Sequence, residues 1–300
     1  SDPEEAVLVC SCWHIGEVVK ANDMGGMNEY NMDIFVRRLQ QLVDKTVGIV
    51  APLQKSRGLK TLHLIHTGDA VGGIIHSELT ESNDLNIVEQ AHLGALVTAQ
   101  AILELRHYFS NISFTGVIGN HGRIKEERYF KNKAQVNWDY VFYNTLATLL
   151  QNFPEIVFNI PLSYWTDIDI LSWKFLIQHG DSMGRGNLYN TLQRSTAKWR
   201  DILAVQGKHF NYFISSHYHT RAQFQTPTGE SLLSASMKGG DEYAMGLSLY
   251  SKPGQLLFGV NKKEGKTWER MIDPSIGQDE VEPRYRYDRR RPLAKQLLGK

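Results

Sequence analysis

Short apolar runs alternate with longer segments of helical periodicity through the first half of the chain. Three runs rich in β-branched residues each end at a glycine or a polar loop: residues 6–12, 59–67 and 112–118. Three segments have apolar residues near the helical spacing: residues 32–53, 85–109 and 140–150. Alternation of this kind predicts an α/β fold with a partly parallel sheet.

Strands predominate in the second half of the chain. Four of its apolar runs are predicted strands, and further strands follow through Val260: residues 156–160, 167–171, 175–179 and 212–216. One helix is predicted among them, at residues 188–205. This pattern indicates a second sheet packed on the first rather than an independent domain. Because no linker precedes Pro274, we expect one domain over residues 1–272 and a tail over residues 273–300.

Composition excludes several classes of protein. The formal net charge of +1 argues against attraction of nucleic acid or anionic membrane to the whole surface. The two cysteines, Cys10 and Cys12, are too close in one strand to staple a fold, which fits a reducing interior. No stretch is apolar enough for a membrane span, and the first residues lack the pattern of a signal peptide. We therefore expect a cytoplasmic protein that does not bind membranes; its oligomeric state is not predicted.

The tail is acidic over residues 273–282 and then strongly basic over residues 284–300. Such a tail is typical of a solvated, frayed terminus. The alternative is an arm that contacts phosphate groups.

Residues that commonly bind metals stand directly after five of the predicted strands. The five segments are Cys12-Trp13-His14, Gly68-Asp69, Gly119-Asn120-His121, His179-Gly180-Asp181 and His217-Tyr218-His219. Functional sites of α/β proteins lie in the crevice beyond the carboxyl ends of the strands. We therefore expect the five segments to converge on one metal site.

This order of residues resembles the calcineurin-like metallophosphoesterases, whose pattern runs Asp-x-His, Gly-Asp, Gly-Asn-His, His and Gly-His-x-His. The motifs cover residues 7–220, and the resemblance extends more weakly to about residue 270. Residues 119–123, Gly-Asn-His-Gly-Arg, are closer to the phage and prophage branch of this superfamily, as is the segment 238–270. The resemblance implies a four-layer α/β/β/α sandwich of two mixed sheets, with the site at one end between the sheets.

The resemblance also implies a centre of two divalent metal ions, with Mn²⁺ favoured and Zn²⁺, Fe²⁺ or Mg²⁺ as alternatives. Asp69 would bridge the two ions, and a hydroxide shared between them would attack the phosphorus in line. The remaining ligands implied for the two ions are Cys12, His14 and His219 for the first and Asn120, His179 and His217 for the second. His121 would donate a proton to the leaving group. Arg123 would steady a phosphoryl oxygen, or be an ordinary surface arginine.

Cys12 stands where the superfamily has aspartate, and three interpretations remain open. A thiolate ligand would favour zinc or iron over manganese. Alternatively, position 12 does not bind and the first metal is weakly held, or the residue is a change engineered to disable the site. A nucleophilic cysteine is not expected, because no partner pattern for nucleophilic catalysis accompanies it.

Several other residues allow either a structural or a functional role. Trp13 could stack on a base or simply pack. Asn137 and Asp139 could line the cleft, but capping of the following helix is the preferred interpretation. His76, on a glycine loop after Asp69, could reach a substrate. Two histidines of the second strand are expected to pack: His63 and His66.

The function that the resemblance implies is that of a metal-dependent phosphodiesterase, and specifically a DNA nuclease of phage or prophage type. One alternative is a phosphomonoesterase that acts on phosphoprotein or nucleotides. The other is a nucleic-acid-binding module with a weakened metal site, since a cysteine at position 12 in place of aspartate is the kind of change expected when a metal ligand has been lost. The fold alone does not decide between these.

Overall fold

The computed structural model describes residues 3–75, 81–125, 127, 131, 133–184 and 186–297. The larger sheet has six strands: β1 (Glu4–Cys10), β2 (Thr61–His66), β3 (Asn111–Gly116), β4 (Ile156–Asn159), β10 (Gln255–Asn261) and β11 (Gly265–Ile272). Their order is β11-β10-β1-β2-β3-β4. β1 to β4 run parallel, while β10 and β11 pair antiparallel at one edge. The sheet is therefore mixed, with a parallel centre built by crossover connections.

The smaller sheet contains the other five strands: β5 (Trp165–Ile170), β6 (Trp173–Gln178), β7 (Tyr212–Ser215), β8 (Ala222–Thr226) and β9 (Gly229–Leu233). Their order is β5-β6-β7-β9-β8. β6, β7 and β9 are parallel, and the two edge strands are antiparallel to their neighbours. Both sheets are mixed, as predicted.

Four long helices cover the outer faces of the two sheets: α1 (Met32–Arg57), α2 (Ile87–Leu105), α3 (Trp138–Leu150) and α4 (Leu188–Ala204). A short helix, α5 (Glu242–Gly246), lies near the surface. Alternate residues of β1 serve different layers, since Leu8 packs towards α1 to α3 whereas Val7 and Val9 pack towards the smaller sheet. A third apolar layer joins α4 to the smaller sheet through Trp199 and Phe213. Three apolar layers separate four layers of structure, which confirms the predicted α/β/β/α sandwich.

Asparagine begins each of the four long helices. The side chains of four residues accept a hydrogen bond from a backbone N–H of the first turn: Asn31, Asn86, Asn137 and Asn187. Capping of this kind satisfies a donor that the helix itself cannot pair, and it contributes about 1 kcal/mol. The predicted role of Asn137 as a cap is confirmed. No helix in the part of the chain described above has the length and apolar character needed to cross a membrane.

The first predicted strand, residues 6–12, is placed wrongly at its end. β1 stops at Cys10, so Cys12 and His14 lie in the loop that follows. The backbone of both residues is left-handed, with φ of 48° at each, which a β-strand does not allow. An apolar run cannot reveal this turn, because Cys12 and Trp13 are themselves buried.

The tail does not behave as a frayed terminus over its described part. Its chain passes along α1 and α2, and the ring of Tyr285 is buried against them. Arg284 pairs with Asp44 of α1 at 2.6 Å and with Glu104 of α2 at 2.8 Å. The charge pattern does not predict this anchoring of the tail, because the buried tyrosine lies between two arginines.

Candidate metal centre

The loops after five strands meet at one edge of the sandwich. The loop after β1 pairs with the loop after β2, since the amide of Cys12 donates to Gly68 and that of His14 donates to Asp69. Gly68 packs so closely on the loop after β3 that a Cβ there would lie 2.5 Å from the backbone nitrogen of Gly119. His179 follows β6, and its ring donates from Nδ1 to the Thr67 carbonyl oxygen at 2.8 Å. The predicted convergence is therefore present in the structure.

A first group of donor atoms consists of Cys12, His14 and His219. Nε2 of His14 lies 3.0 Å from Nε2 of His219. The Cys12 sulfur and one nitrogen of each histidine all lie within 4.8 Å of one another. Sulfur and two imidazole nitrogens at this spacing could share one metal ion.

A second group surrounds Nε2 of His179. That atom lies 3.0 Å from Oδ1 of Asn120 and 3.2 Å from Nδ1 of His217. Oδ2 of Asp69 lies 3.0 Å from the same atom. Since Nδ1 of His179 donates to Thr67, its Nε2 is the ring nitrogen that faces these three atoms. Two imidazole nitrogens, an amide oxygen and a carboxylate oxygen at this spacing are donor atoms that could hold one cation.

Asp69 lies between the two groups. Its Oδ2 is 3.0 Å from His179 in one group and 4.0 Å from Nε2 of His14 in the other. Its Oδ1 accepts the backbone N–H of His121 at 2.8 Å, which fixes the orientation of the carboxylate. A carboxylate in this position is placed to contact two cations at once.

The titration of these groups fits a set of metal ligands. Burial lowers the pKa of His217 to about 4 and that of His219 to about 3, so both rings are neutral near pH 7. Neutral imidazole is the form that binds a metal. Burial also lowers the pKa of His179, but the charge of Asp69 outweighs it and raises that pKa to about 9. A positive charge is therefore favoured beside Asp69.

Backbone strain is concentrated at the same residues. Seven non-glycine residues of the described chain have positive φ, and five of them are predicted ligands: Cys12, His14, Asp69, His217 and His219. Left-handed backbone costs a non-glycine residue about 1–3 kcal/mol, and it persists only where the surrounding structure imposes it. Such outliers cluster at functional sites, so the strain supports a functional role for this edge of the sandwich.

His121 lies at the open side of the two groups. Its Nδ1 contacts the Gly72 carbonyl oxygen at 2.8 Å, and its ring meets the His14 ring edge-on at 4.4 Å between centroids. With 18% of its side chain exposed, it is more accessible than His14 or Asp69. This position suits a group that exchanges a proton with a substrate.

Arg123 is not a surface arginine, since it is only 7% exposed. Its Nε donates to the carbonyl oxygen of Asn120 at 3.0 Å, so it braces the loop that carries Asn120 and His121. Contact of its guanidinium with a substrate stays a prediction.

The structure also shows the surroundings of Trp13 and of the two histidines that were expected to pack. Trp13 is 2% exposed and donates from Nε1 to Gln255 at 3.0 Å, so it cannot stack on a base. His66 is buried against Tyr143, and His63 contacts Glu5 and Ser113. His76 lies outside the described residues.

A buried ion-pair network behind the first group was not predicted. The Nζ atom of Lys238, which is fully buried, contacts Glu17 and lies 2.7 Å from Asp241. Oε2 of Glu17 lies 3.6 Å from Nδ1 of His14, on the side of the ring away from His219. A lysine and an aspartate around two glycines at residues 238–241 are visible in the sequence, but nothing there reveals the contact with Glu17.

Comparison with known proteins gives distant similarities. The chain matches no profile of a protein family. It is 22% identical over 257 residues to the SPbeta prophage-derived uncharacterized protein YonJ of Bacillus subtilis strain 168, a match that covers 83% of this chain and 59% of that protein. This chain thus spans less than two thirds of that relative.

Two solved structures are similar over most of their length. Vacuolar protein sorting 29 from Cryptosporidium parvum is 12% identical, with a TM-score of 0.37, and the match covers 90% of this chain and 98% of that one. A novel archaeal phosphodiesterase is also 12% identical, with a TM-score of 0.38, over 89% of this chain and 99% of that one.

Proposed function

We propose that this protein is a two-metal phosphoesterase that hydrolyses phosphodiesters, with DNA as its substrate. The observation that carries the proposal is the Asp69 carboxylate, which lies 3.0 Å from His179 in one donor group and 4.0 Å from His14 in the other. Two divalent cations held by these groups would polarise the phosphoryl group and supply the nucleophile from water. Nitrogen and oxygen donors suit Mn²⁺, while the sulfur of Cys12 shifts the preference towards Zn²⁺ or Fe²⁺.

The protein's own residues have distinct tasks in this proposal. Cys12, His14 and His219 would hold one cation, and Asn120, His179 and His217 would hold the other. Asp69 would be a ligand shared by both cations, and the hydrogen bond that its carboxylate accepts from the backbone N–H of His121 fixes its orientation. His121, whose Nδ1 is engaged by Gly72, offers Nε2 to the oxygen of the leaving group.

The choice of a diester and of DNA rests on the sequence. Residues 119–123, Gly-Asn-His-Gly-Arg, resemble the phage and prophage branch of the metallophosphoesterases. The similarity to a prophage-derived protein agrees with that branch. Arg123, buried beside Asn120, adds a positive charge next to a proposed metal ligand, which would favour a phosphate there.

The alternative of a nucleic-acid-binding module with a weakened metal site is favoured by one observation. Cys12 is fully buried, and burial raises the pKa of its thiol well above the usual range. A metal at the first group must therefore displace a tightly held proton, which weakens its binding near neutral pH.

Two substitutions test the proposed function. Asp69→Asn and His217→Ala should each abolish hydrolysis of bis-para-nitrophenyl phosphate and of labelled DNA in Mn²⁺, with the circular dichroism spectrum unchanged. His209→Ala, at an exposed histidine of the segment after α4, is the matched control and should keep full activity. Turnover by Asp69→Asn in excess Mn²⁺ would refute the two-metal proposal.

The substrate class is tested with the unmodified protein. A phosphodiesterase should cleave the bis ester faster than para-nitrophenyl phosphate, and a phosphomonoesterase should show the reverse order. DNA binding without hydrolysis of either ester, in any of the four metals, would favour the binding module.

A further inference from the structure

The carboxylate of Asp139 is buried at the start of α3 and accepts four backbone hydrogen bonds. Its Oδ2 accepts the N–H of Asp69 at 2.9 Å and that of Gly119 at 2.7 Å. Its Oδ1 accepts the N–H of Ala70 at 2.9 Å and that of Val71 at 3.3 Å. One side chain thus satisfies four donors in a place that water does not reach.

The donors belong to two loops that carry different parts of the metal centre. Asp69 itself follows β2, and Gly119 precedes Asn120 in the loop after β3. The two loops are in direct contact, since a Cβ at Gly119 would lie 2.1 Å from Oδ1 of Asp69. Oδ2 of Asp139 joins them through one atom, so neither loop can shift without breaking a bond to it.

Asn137 holds the same assembly from the other side. Its Nδ2 donates to the Gly119 carbonyl oxygen at 2.9 Å, and its Oδ1 accepts the N–H of Asp139 at 2.8 Å. Gly122 is needed for this approach, because a Cβ there would lie 2.1 Å from Oδ1 of Asn137. The start of α3 therefore contacts the two loops through Asn137 and Asp139, in addition to the cap that Asn137 provides for the helix.

We propose that Asp139 is a positioning residue of the metal centre, which sets the distance between the Asp69 carboxylate and the Asn120 side chain. The inference rests on the proposed function, because it assigns to Asp139 the task of keeping both groups directed at the same pair of cations. Asp139 contacts neither the cations nor the substrate, and it acts through the backbone of the two loops. Partners that orient metal ligands in this way commonly change metal affinity or activity by about 10–100-fold when they are removed.

The substitution Asp139→Asn removes the positioning with almost no change of shape. Each carboxylate oxygen accepts two N–H groups, so the amide nitrogen faces two donors in either orientation of the side chain. One of the two loops must then move away. Asp33→Asn is the matched control, because Asp33 also stands two residues after an asparagine cap, Asn31, and its carboxylate contacts Tyr287 rather than the loops.

The experiment measures Mn²⁺ binding by calorimetry, and kcat for the bis ester, at a temperature where thermal melts show every variant to be folded. We expect Asp139→Asn to lower either the affinity for Mn²⁺ or kcat by about 10–100-fold relative to the unmodified protein. Asp33→Asn should leave both quantities unchanged. Equal Mn²⁺ affinity and kcat in the two variants would overturn the inference. Absence of Mn²⁺ binding in the unmodified protein would instead overturn the proposed function.

A second measurement covers the case in which Asp139→Asn does not fold. Hydrogen exchange of the unmodified protein should protect the amides of Asp69, Ala70 and Gly119 as strongly as those of β2 and β3. Exchange of these three amides at the rate of exposed loops would show that Asp139 does not hold them, and it too would overturn the inference.

Discussion

Cys12 is the residue at which the sequence departs from the metal-ligand motifs that it resembles, and its backbone indicates which substitution it should tolerate. Its φ of 48° lies in the left-handed region, where aspartate is one of the few favoured non-glycine residues. Cys12→Asp should therefore fold, and it should raise hydrolysis with Mn²⁺ or Mg²⁺ while reducing any preference for Zn²⁺, because a hard carboxylate suits those ions. Rates in each metal and metal content by mass spectrometry measure this.

Cys10→Ala is the control for that prediction, because Cys10 is also buried but packs in the layer between the larger sheet and its helices. It should leave the choice of metal unchanged. If Cys12→Asp and Cys12→Ala both leave metal content and rate as they are, Cys12 is a packing residue and the first cation depends on the histidines and Asp69.

His121→Gln should slow substrates unequally. If His121 gives a proton to the leaving group, an ester with a poor leaving group should lose about 10²–10⁴-fold in rate. A para-nitrophenyl ester should lose far less, because para-nitrophenolate leaves without protonation. Equal losses on the two substrates would instead indicate that His121 binds a metal or holds the loop.

For single residues, the sequence predicts which side chains come together but not the backbone geometry that brings them together. Side chains two residues apart share a face in a strand, so a strand that continued to His14 would place Cys12 and His14 side by side. They belong to the same donor group although neither lies in a strand and both have left-handed backbone. For Asp139 the sequence indicates only a capping role, since its contacts with Asp69 and Gly119 join segments that are far apart in the chain.

Among the secondary-structure elements, the ends of the predicted helices lie within four residues of the observed ends, whereas the predicted strands end one or two residues too late. Helix periodicity located the four long helices, but their first residues are set by asparagine caps such as Asn137. Predicted strands run past their true ends wherever the chain stays apolar, as at residues 6–12, because burial continues into the loop while the pairing with the next strand does not. Of the predicted ligands, Cys12 and His179 lie in such extra residues, whereas the others lie further along the loops, so the geometry of the site lay beyond the strand pattern.

The short helix α5 offers a test of the buried network behind the site. Asp241 caps this helix through the N–H of Ala244 and also pairs with Lys238 at 2.7 Å. Asp241→Asn keeps the cap but loses the ion pair, and it should lower the free energy of unfolding by about 1–3 kcal/mol. Chemical denaturation at neutral pH measures this, with Asp201→Asn on the exposed face of α4 as a control that should change nothing.

The pH dependence of that loss gives a sharper check. Burial raises the pKa of Asp241, but Lys238 outweighs it and lowers the pKa to about 2. The folded carboxyl thus binds a proton less readily than the unfolded one, whose pKa is about 3.9. The stability from the pair should be complete above about pH 4 and should disappear as the pH falls through 2. A difference between Asp241→Asn and the unmodified protein that stays constant down to pH 2 would contradict this origin.

For the whole molecule, alternation of strands and helices predicts one partly parallel sheet, the strand-rich second half predicts a second sheet packed on it, and the resemblance implies the four-layer sandwich. The apolar runs of the parallel strands are buried on both faces, and only four layers can cover two such sheets. The tail was harder, because charge patterning alone describes a solvated segment. The buried ring of Tyr285 anchors the tail, and a count of charges does not detect a single aromatic residue between arginines.

Removal of the tail should therefore destabilise the molecule, because its described part is anchored on α1 and α2. A chain that ends at Ile272 loses the buried Tyr285 ring and the pairs of Arg284 with Asp44 and Glu104. Tyr285→Ala alone should lower the free energy of unfolding by roughly 3 kcal/mol, as truncation of a buried aromatic ring does. Thermal melts of both variants measure this, and both should melt well below the unmodified protein.

The exposed arginines of the tail separate anchoring from phosphate binding. Arg286, Arg290 and Arg291 lie on its exposed side, and replacing all three by alanine should leave the melting temperature unchanged because none of them is buried. If the tail also binds DNA, this triple variant should bind DNA more weakly, and the salt dependence of its binding should be shallower by up to about one unit of slope for each phosphate that an arginine had neutralised. A triple variant that melts as early as Tyr285→Ala would show that these charges anchor the tail as strongly as the buried ring does, and it would contradict the prediction.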